Sequence, residues 1–394
     1  LDPSSRFPNY VKAIGDPALM SIDFDNDPRF TFTDLSRYRG DEFFAKLKEV
    51  LKTVTADEKK HTLTTPFVDA KGNHRPTLIP SGVMIDSLSS MNVEATETMY
   101  DKNMIGASGA NTAAMASGKA KKQMVDQIPA LCSSSGAYMI MTSLLGDVIN
   151  MEMYPTDKRN LSYLKKDTAI KGASSSFYSL PNNLWSVVDS RPCMTKEKMP
   201  RYPQEGAPNE RGDTDLTEIS LVNLRGKGGM SGVPITLLFS QVEGFLVSLS
   251  EFHFVKEADF GIVGSQQNYA MCLLPDVKLS RTTIRKKLRE HPELRRVVQI
   301  TADMLQIQFF HRTTDPALLC TPQQLYEDLT KIGYDWKVLL NTRSHWTYQE
   351  YEKEQLPFLS TMDLLRMRAG LYVPYWMSKE ERSKLKLPAV EKTT

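Results

Sequence analysis

Gly82-Val83-Met84-Ile85-Asp86-Ser87 is the stretch on which the architecture turns. Its apolar run reaches a carboxylate without polar alternation, which reads as a buried strand of a parallel or mixed sheet covered on both faces. In an open α/β sheet, ligands bind at the carboxyl ends of the strands. A carboxylate held rigidly there suits a Mg²⁺-nucleotide site, because Mg²⁺ takes hard oxygen ligands together with water and phosphate. A strand-end Asp is equally what starts a turn or caps the next helix.

Working outward, Leu19 to Phe24 reads as an earlier buried strand with Asp23 and Asp25 at its end, and Phe43 to Val54 as an amphipathic helix. A polar insert with turn signals at Lys71-Gly72-Asn73 follows. Downstream, a helix pattern from Ala113 to Cys132 leads into a strand at Ala137 to Ser143, and Trp185 to Val188, Glu218 to Leu224 and Pro234 to Ser240 continue as strands. This alternation is the pattern of an α/β sheet with helices on its faces. After about Phe260 the sequence becomes mainly helical and more charged, which divides the chain into an α/β core over 1–260 and a smaller, mainly helical domain over 261–394.

The 394 residues are 41% hydrophobic and 24% charged, an ordinary globular composition with no sign of disorder. With a formal net charge of +2, any nucleic acid must be held by local clusters of basic residues. Cys132, Cys193, Cys272 and Cys320 are widely spaced without a CxxC pair, which fits a reducing, cytoplasmic setting. No apolar run is long enough to span a bilayer, and no basic-then-apolar segment opens the chain, so membrane partners are not expected. The six histidines show no metal-ligand spacing, and no nucleophile has a base near it in sequence.

The order of these segments carries a resemblance. Val83-Met84-Ile85-Asp86-Ser87-Leu88 resembles the Walker B strand of RecA-family recombinases, and Ile105-Gly106-Ala107-Ser108-Gly109, Ala113-Ala114-Met115 and Lys119 to Met124 resemble the family's first DNA-binding loop and the helix after it. Ile22-Asp23-Phe24-Asp25 resembles the strand whose last acidic residue is the catalytic base, with Asp25 where Glu is usual. The likeness runs from about Ala18 to Met304 and is closest to phage RecA-like proteins. It implies a RecA-like P-loop ATPase core, a mostly parallel sheet between helices, with ATP and Mg²⁺ as cofactors. It gives Asp86 a role at the metal, and Ser87 and Ser143 roles at the nucleotide. Arg225 and Lys227, in Asn223-Leu224-Arg225-Gly226-Lys227, match the basic pair that reaches a neighbouring subunit's phosphates, although the same glycine-rich stretch suits a plain hairpin turn. The strand that usually ends in Gln, Asn or His ends here in Thr142-Ser143, with shorter reach.

The family's G-x-x-x-x-G-K-[ST] loop does not occur before Leu19, and residues 1–18 are too few to hold it with its strand and helix. Ser117-Gly118-Lys119-Ala120 lies after the Walker B strand and lacks the first glycine and the hydroxyl. The chain opens Leu1-Asp2-Pro3-Ser4 without an initiator Met, so the loop is expected upstream or on a separate polypeptide, and the chain alone is expected to bind ATP weakly or not at all.

Single-stranded DNA is gripped by cations along its phosphates and by side chains among its bases. The first candidate segment runs from Met104 to Gly118, with Gly106, Ser108, Gly109 and Asn111, followed by Lys119, Lys121 and Lys122. The second runs from about Gly146 to Phe177, with Lys165, Lys166, Lys171, Gly172 and Phe177; both also read as solvated loops with ordinary surface charge. Near Ser280, a basic helix carrying Arg281, Arg285, Lys286, Lys287 and Arg289, a His291-Pro292-Glu293 break and a second helix with Arg295 and Arg296 resemble the family's C-terminal domain. That implies double-stranded DNA as a partner, and a solvated helical face explains the charges as well. The function expected is a DNA-dependent ATPase that forms a helical filament on single-stranded DNA for pairing and strand exchange. The alternatives are a ring-forming helicase on the same core, and a P-loop-less DNA-binding paralogue that modulates a complete recombinase.

Overall fold

The computed structural model describes residues 39–68, 73–79, 81–102, 109–148, 161–171, 175–204, 215–227, 231–265, 268–311, 313–344 and 356–388. These residues form a mixed α/β protein with ten helices, and the contacts within the chain group into two units, Leu1–Leu184 and Trp185–Thr394.

In the first unit, helix α1 (Gly40–Ala56) buries Phe44 and Leu51. The polar insert is an antiparallel hairpin of β1 (Thr62–Val68) and β2 (His74–Leu78), with Leu63 opposite Thr77. Residues 69–72, which hold most of the turn signal, lie outside the described residues. Polar composition hid a pair of strands here, because threonines suit a strand; Leu63 and Thr65 are buried in it. Strand β3 (Ser81–Ile85) then pairs in parallel with β4 (Ala137–Met141), Ser81 opposite Ala137 and Ile85 opposite Met141. The crossover between them is helical, through α2 (Glu94–Lys102) and α3 (Gly109–Ser135). Gly136 makes the turn from α3 into β4 at φ +69°, where a Cβ would sit 2.8 Å from that of Leu78. A short antiparallel pair follows, β5 (Leu145–Asp147) with β6 (Thr168–Ile170).

The core of this unit gathers Ile85, Leu88, Met91, Val125 and Phe177, with Phe43, Val83, Met139 and Met141 against it. Among the described residues one face of the β3–β4 pair is covered, and on the other Met84 is 78% exposed, Tyr138 70% and Ile140 58%. The described helices α1 and α3 pack on the face of Val83 and Met139.

The second unit opens within β7 (Asn183–Pro192), the edge of a four-stranded sheet ordered β10-β9-β8-β7, where β8 is Leu216–Gly226, β9 Pro234–Ser240 and β10 Gly244–Phe245. The β8–β9 and β9–β10 pairs are antiparallel, as are β11 (Ile262–Gly264) with β12 (Tyr269–Met271), and β12 with β13 (Leu274–Leu279). The expected mostly parallel sheet is thus represented among the described residues by the β3–β4 pair. The reason lies in the connections: strands joined by a handful of residues, as β8 and β9 are, can only run antiparallel, and the parallel pair is the one joined by helices.

Helix α4 (Val247–Glu257) packs on β9, and α5 (Ile284–Glu290), α6 (Pro292–Phe310), α7 (Pro322–Ile332), α8 (Trp336–Leu340), α9 (Thr361–Arg368) and α10 (Lys379–Ser383) complete the unit. Leu238, Phe252, Met271, Ile284, Ile300, Leu325 and Leu364 belong to one continuous core. The change of composition near 260 falls inside that core: Phe252 of α4 and Ile300 of α6 stand on either side of it in sequence and share it in space. Strands β11 to β13 still follow it before the helical run from α5 onward, and no break in packing accompanies it.

Candidate functional site

The carboxyl end of the β3–β4 pair collects polar side chains from three segments. Asp86 leaves β3 exposed, and its Oδ1 accepts a 2.5 Å hydrogen bond from the Thr142 hydroxyl at the end of β4. The Asp86–Ser87 peptide bond is cis. A single 3-10 turn, Leu88–Ser90, follows, with the Ser87 and Ser90 hydroxyls 3.0 Å apart. The backbone extends the parallel ladder past the strands, Thr142 N–H to Ile85 O and Leu88 N–H to Thr142 O, both at 3.0 Å. This is why Asp86 and Thr142 stand side by side.

The turn is held from below by Lys121. Its side chain is 3% exposed, and its ammonium donates to the Leu88 carbonyl at 2.9 Å. Burial pulls this amine below the ordinary lysine range, since the charged form loses its water. Above the turn, the Ser89 hydroxyl lies 2.8 Å from the Ser143 hydroxyl, accepts from the Leu144 N–H at 2.9 Å and donates to the Lys171 carbonyl at 3.2 Å. Lys171 N–H in turn reaches the Leu144 carbonyl at 2.8 Å, and its side-chain stem lies across Gly146, where a Cβ would come within 2.7 Å of it. Sequence reading passed over Ser89; the signal available was the run Ser87-Leu88-Ser89-Ser90 directly after a strand-end carboxylate.

Among the described residues, no group of three or more His, Cys, Asp or Glu side chains could hold a metal ion. One exposed carboxylate with Ser87 beside it does fit Mg²⁺, which keeps most of its waters and borrows phosphate oxygens, so a full protein cage is not required.

The expected catalytic base and the candidate DNA-contacting residues have different fates. Asp25, Gly106, Ser108 and Gly172 lie outside the described residues. Gly109 and Asn111 belong to the first turn of α3, so this part of the first segment is helix, in keeping with the helix-forming alanines and methionine after it. Lys119 and Lys122 are exposed on α3, whereas Lys121 between them is the buried anchor of the turn. Lys165, Lys166 and Lys171 are exposed, near Tyr163 at 52% exposure. Phe177 is a core residue at 3% exposure and has no face available to a base. Its neighbour Tyr178 accepts the Ile170 N–H at 2.9 Å, tying this stretch to β6.

In the second unit, Arg225 is half-buried at the end of strand β8 and Lys227 exposed just beyond it. The basic sequence near Ser280 is engaged mainly in holding its own unit together. Arg285, 5% exposed, pairs with Asp215 at 2.9 Å and with Glu243, and also reaches Ser240. Lys287 donates to the Lys278 carbonyl, and Lys286 pairs loosely with Glu290 at 3.8 Å. Arg295 caps the end of α5 through the Leu288 and Arg289 carbonyls, both at 2.9 Å, while Arg296, 5% exposed, donates to Thr342 and Leu359. A one-dimensional run of arginines could not reveal this, because the carboxylates of Asp215 and Glu243 arrive from loops 70 and 42 residues away. Searches against known protein families and against curated proteins find no match to this chain.

Proposed function

We propose that this chain contributes part of a RecA-type, DNA-dependent ATPase that assembles into helical filaments on single-stranded DNA. The observation that carries the reading is the parallel β3–β4 pair with its helical crossover, which sets Asp86, Thr142 and Ser143 together at one carboxyl end. In such a site Asp86 and Ser87 would hold Mg²⁺, which supplies neutralisation of phosphate charge when a nucleotide is bound. The chain's own residues supply rigidity: the ladder beyond Ile85 and the Lys121 anchor keep the carboxylate in place. Arg225 and Lys227 act on a neighbouring subunit's nucleotide in this reading, and heterologous contacts of that kind build open filaments. A DNA-binding paralogue without its own phosphate loop is the second reading.

Both readings use Lys165, Lys166 and Lys171 on DNA phosphates. Binding of a fluorescent oligo-dT should weaken with salt, and replacing all three lysines with Ala should lower the log–log salt slope by about 2, at about 0.7 per contact. An unchanged slope removes this segment from the DNA interface. DNA-stimulated ATP hydrolysis by the complete protein separates the ATPase from the paralogue.

A further inference from the structure

We infer that Ser89 is a positioning residue that holds the β5–β6 hairpin, and with it Lys171, in register with the carboxyl end of β3 and β4. The consequence for DNA rests on the function proposed above.

A hydroxyl has one proton to donate and two lone pairs to fill. Ser89 donates to the Lys171 carbonyl and accepts from the Leu144 N–H, which leaves one lone pair for Ser143, so Ser143 is the donor of that 2.8 Å bond. All of the capacity of Ser89 is therefore spent on joining three chain segments: the turn after β3, the end of β4 and the end of β6. No other described side chain makes this set of bonds.

Two further contacts fix where Ser89 points. Leu88 is pinned on one side by the buried Lys121 ammonium at its carbonyl and on the other by Thr142 O at its amide. The turn cannot shift without breaking a bond to a buried charge, which is costlier to lose than a neutral one. On the far side, the Lys171 N–H bonds Leu144 O, so Leu144 and Lys171 are clamped to each other and both to Ser89. Asp86 shares this frame through Thr142, the neighbour of Ser143. Any ligand that draws on the Asp86 carboxylate acts on the Thr142–Ser143 pair, and Ser89 passes that position to Lys171 and the exposed lysines of the same segment.

The test compares the full chain with its Ser89→Ala and Ser89→Thr variants, by amide hydrogen exchange without nucleotide or DNA and by oligo-dT affinity. Ser89→Ala is expected to speed exchange at Leu144 and Lys171 on the order of fivefold, the loss of a net hydrogen bond. The Thr142 amide, bonded to Ile85, should keep its protection. Oligo-dT affinity should fall several-fold, and Ser89→Thr, which keeps the hydroxyl, should restore both. Unchanged exchange at Leu144 and Lys171 overturns the inference, and so does acceleration shared equally by Thr142, which would mean general loosening. Local acceleration with unchanged oligo-dT affinity overturns the link to DNA. If the unmodified chain binds no oligo-dT, the proposed function fails, while the exchange data still decide whether Ser89 holds the hairpin.

Discussion

Arg285 shows most clearly how a charged residue changes meaning once its surroundings are known. Its guanidinium is 4% exposed and shared between Asp215 and Glu243, with Ser240 as a further acceptor. Bonds from Ser240 and Arg285 and the arginine's charge hold the Asp215 carboxyl below its usual range, against the opposing effect of burial, which is the largest single influence. Removing a buried cation strands its partners, so Arg285→Ala should cost about 3–5 kcal/mol in urea unfolding. A duplex-contacting arginine on a solvated face would leave the unfolding midpoint nearly unchanged, so the same variant separates the two roles. Lys121 makes the same point at smaller scale: an apparent DNA lysine is the anchor of the Leu88 carbonyl.

Among the elements, the β3–β4 pair and its crossover matter most to the site, and the crossover closes at Gly136. A residue with a Cβ would have to adopt φ +69° and press on Leu78. The left-handed conformation alone costs an L-residue roughly 1–2 kcal/mol, so Gly136→Ala should destabilise the first unit by at least that much, read as a lower thermal midpoint. The strands themselves were legible from their apolar runs, and Pro234–Ser240 is a strand over the span that its sequence predicts. The β1–β2 hairpin was not, because threonine-rich strands with little to bury lack the apolar run that marks a strand.

At the scale of the whole molecule, the second unit carries a pH dependence in its core. Glu251 on α4 is pushed up to about 7 by burial and then by the Asp303 carboxyl of α6. Asp303 is itself raised by burial, against a 2.7 Å hydrogen bond from Thr361 of α9 and the pull of Arg296 on its own helix. The fold therefore binds the Glu251 proton more tightly than the unfolded chain, whose carboxyl titrates near 4.5. The stabilisation is complete below about 4.5 and is lost as pH rises through 7. Glu251→Gln should make the unfolding midpoint less dependent on pH between 5 and 8 and leave the variant the more stable protein at pH 8; a steeper dependence than in the parent sequence would refute this assignment. By itself, the sequence determined the α/β class, the strands at Val83–Ile85, Ala137–Met141, Glu218–Leu224 and Pro234–Ser240 and the strand-end position of Asp86, since these depend on local periodicity and propensity; the expected strand at Leu19–Phe24 lies outside the described residues. The tertiary structure alone decided the rest. It placed the boundary between units at Leu184, buried Phe177, Arg285 and Lys121, and made Ser89 a three-way junction. Each of these depends on groups brought together from distant parts of the chain, where desolvation and hydrogen-bond geometry assign the role and residue type does not.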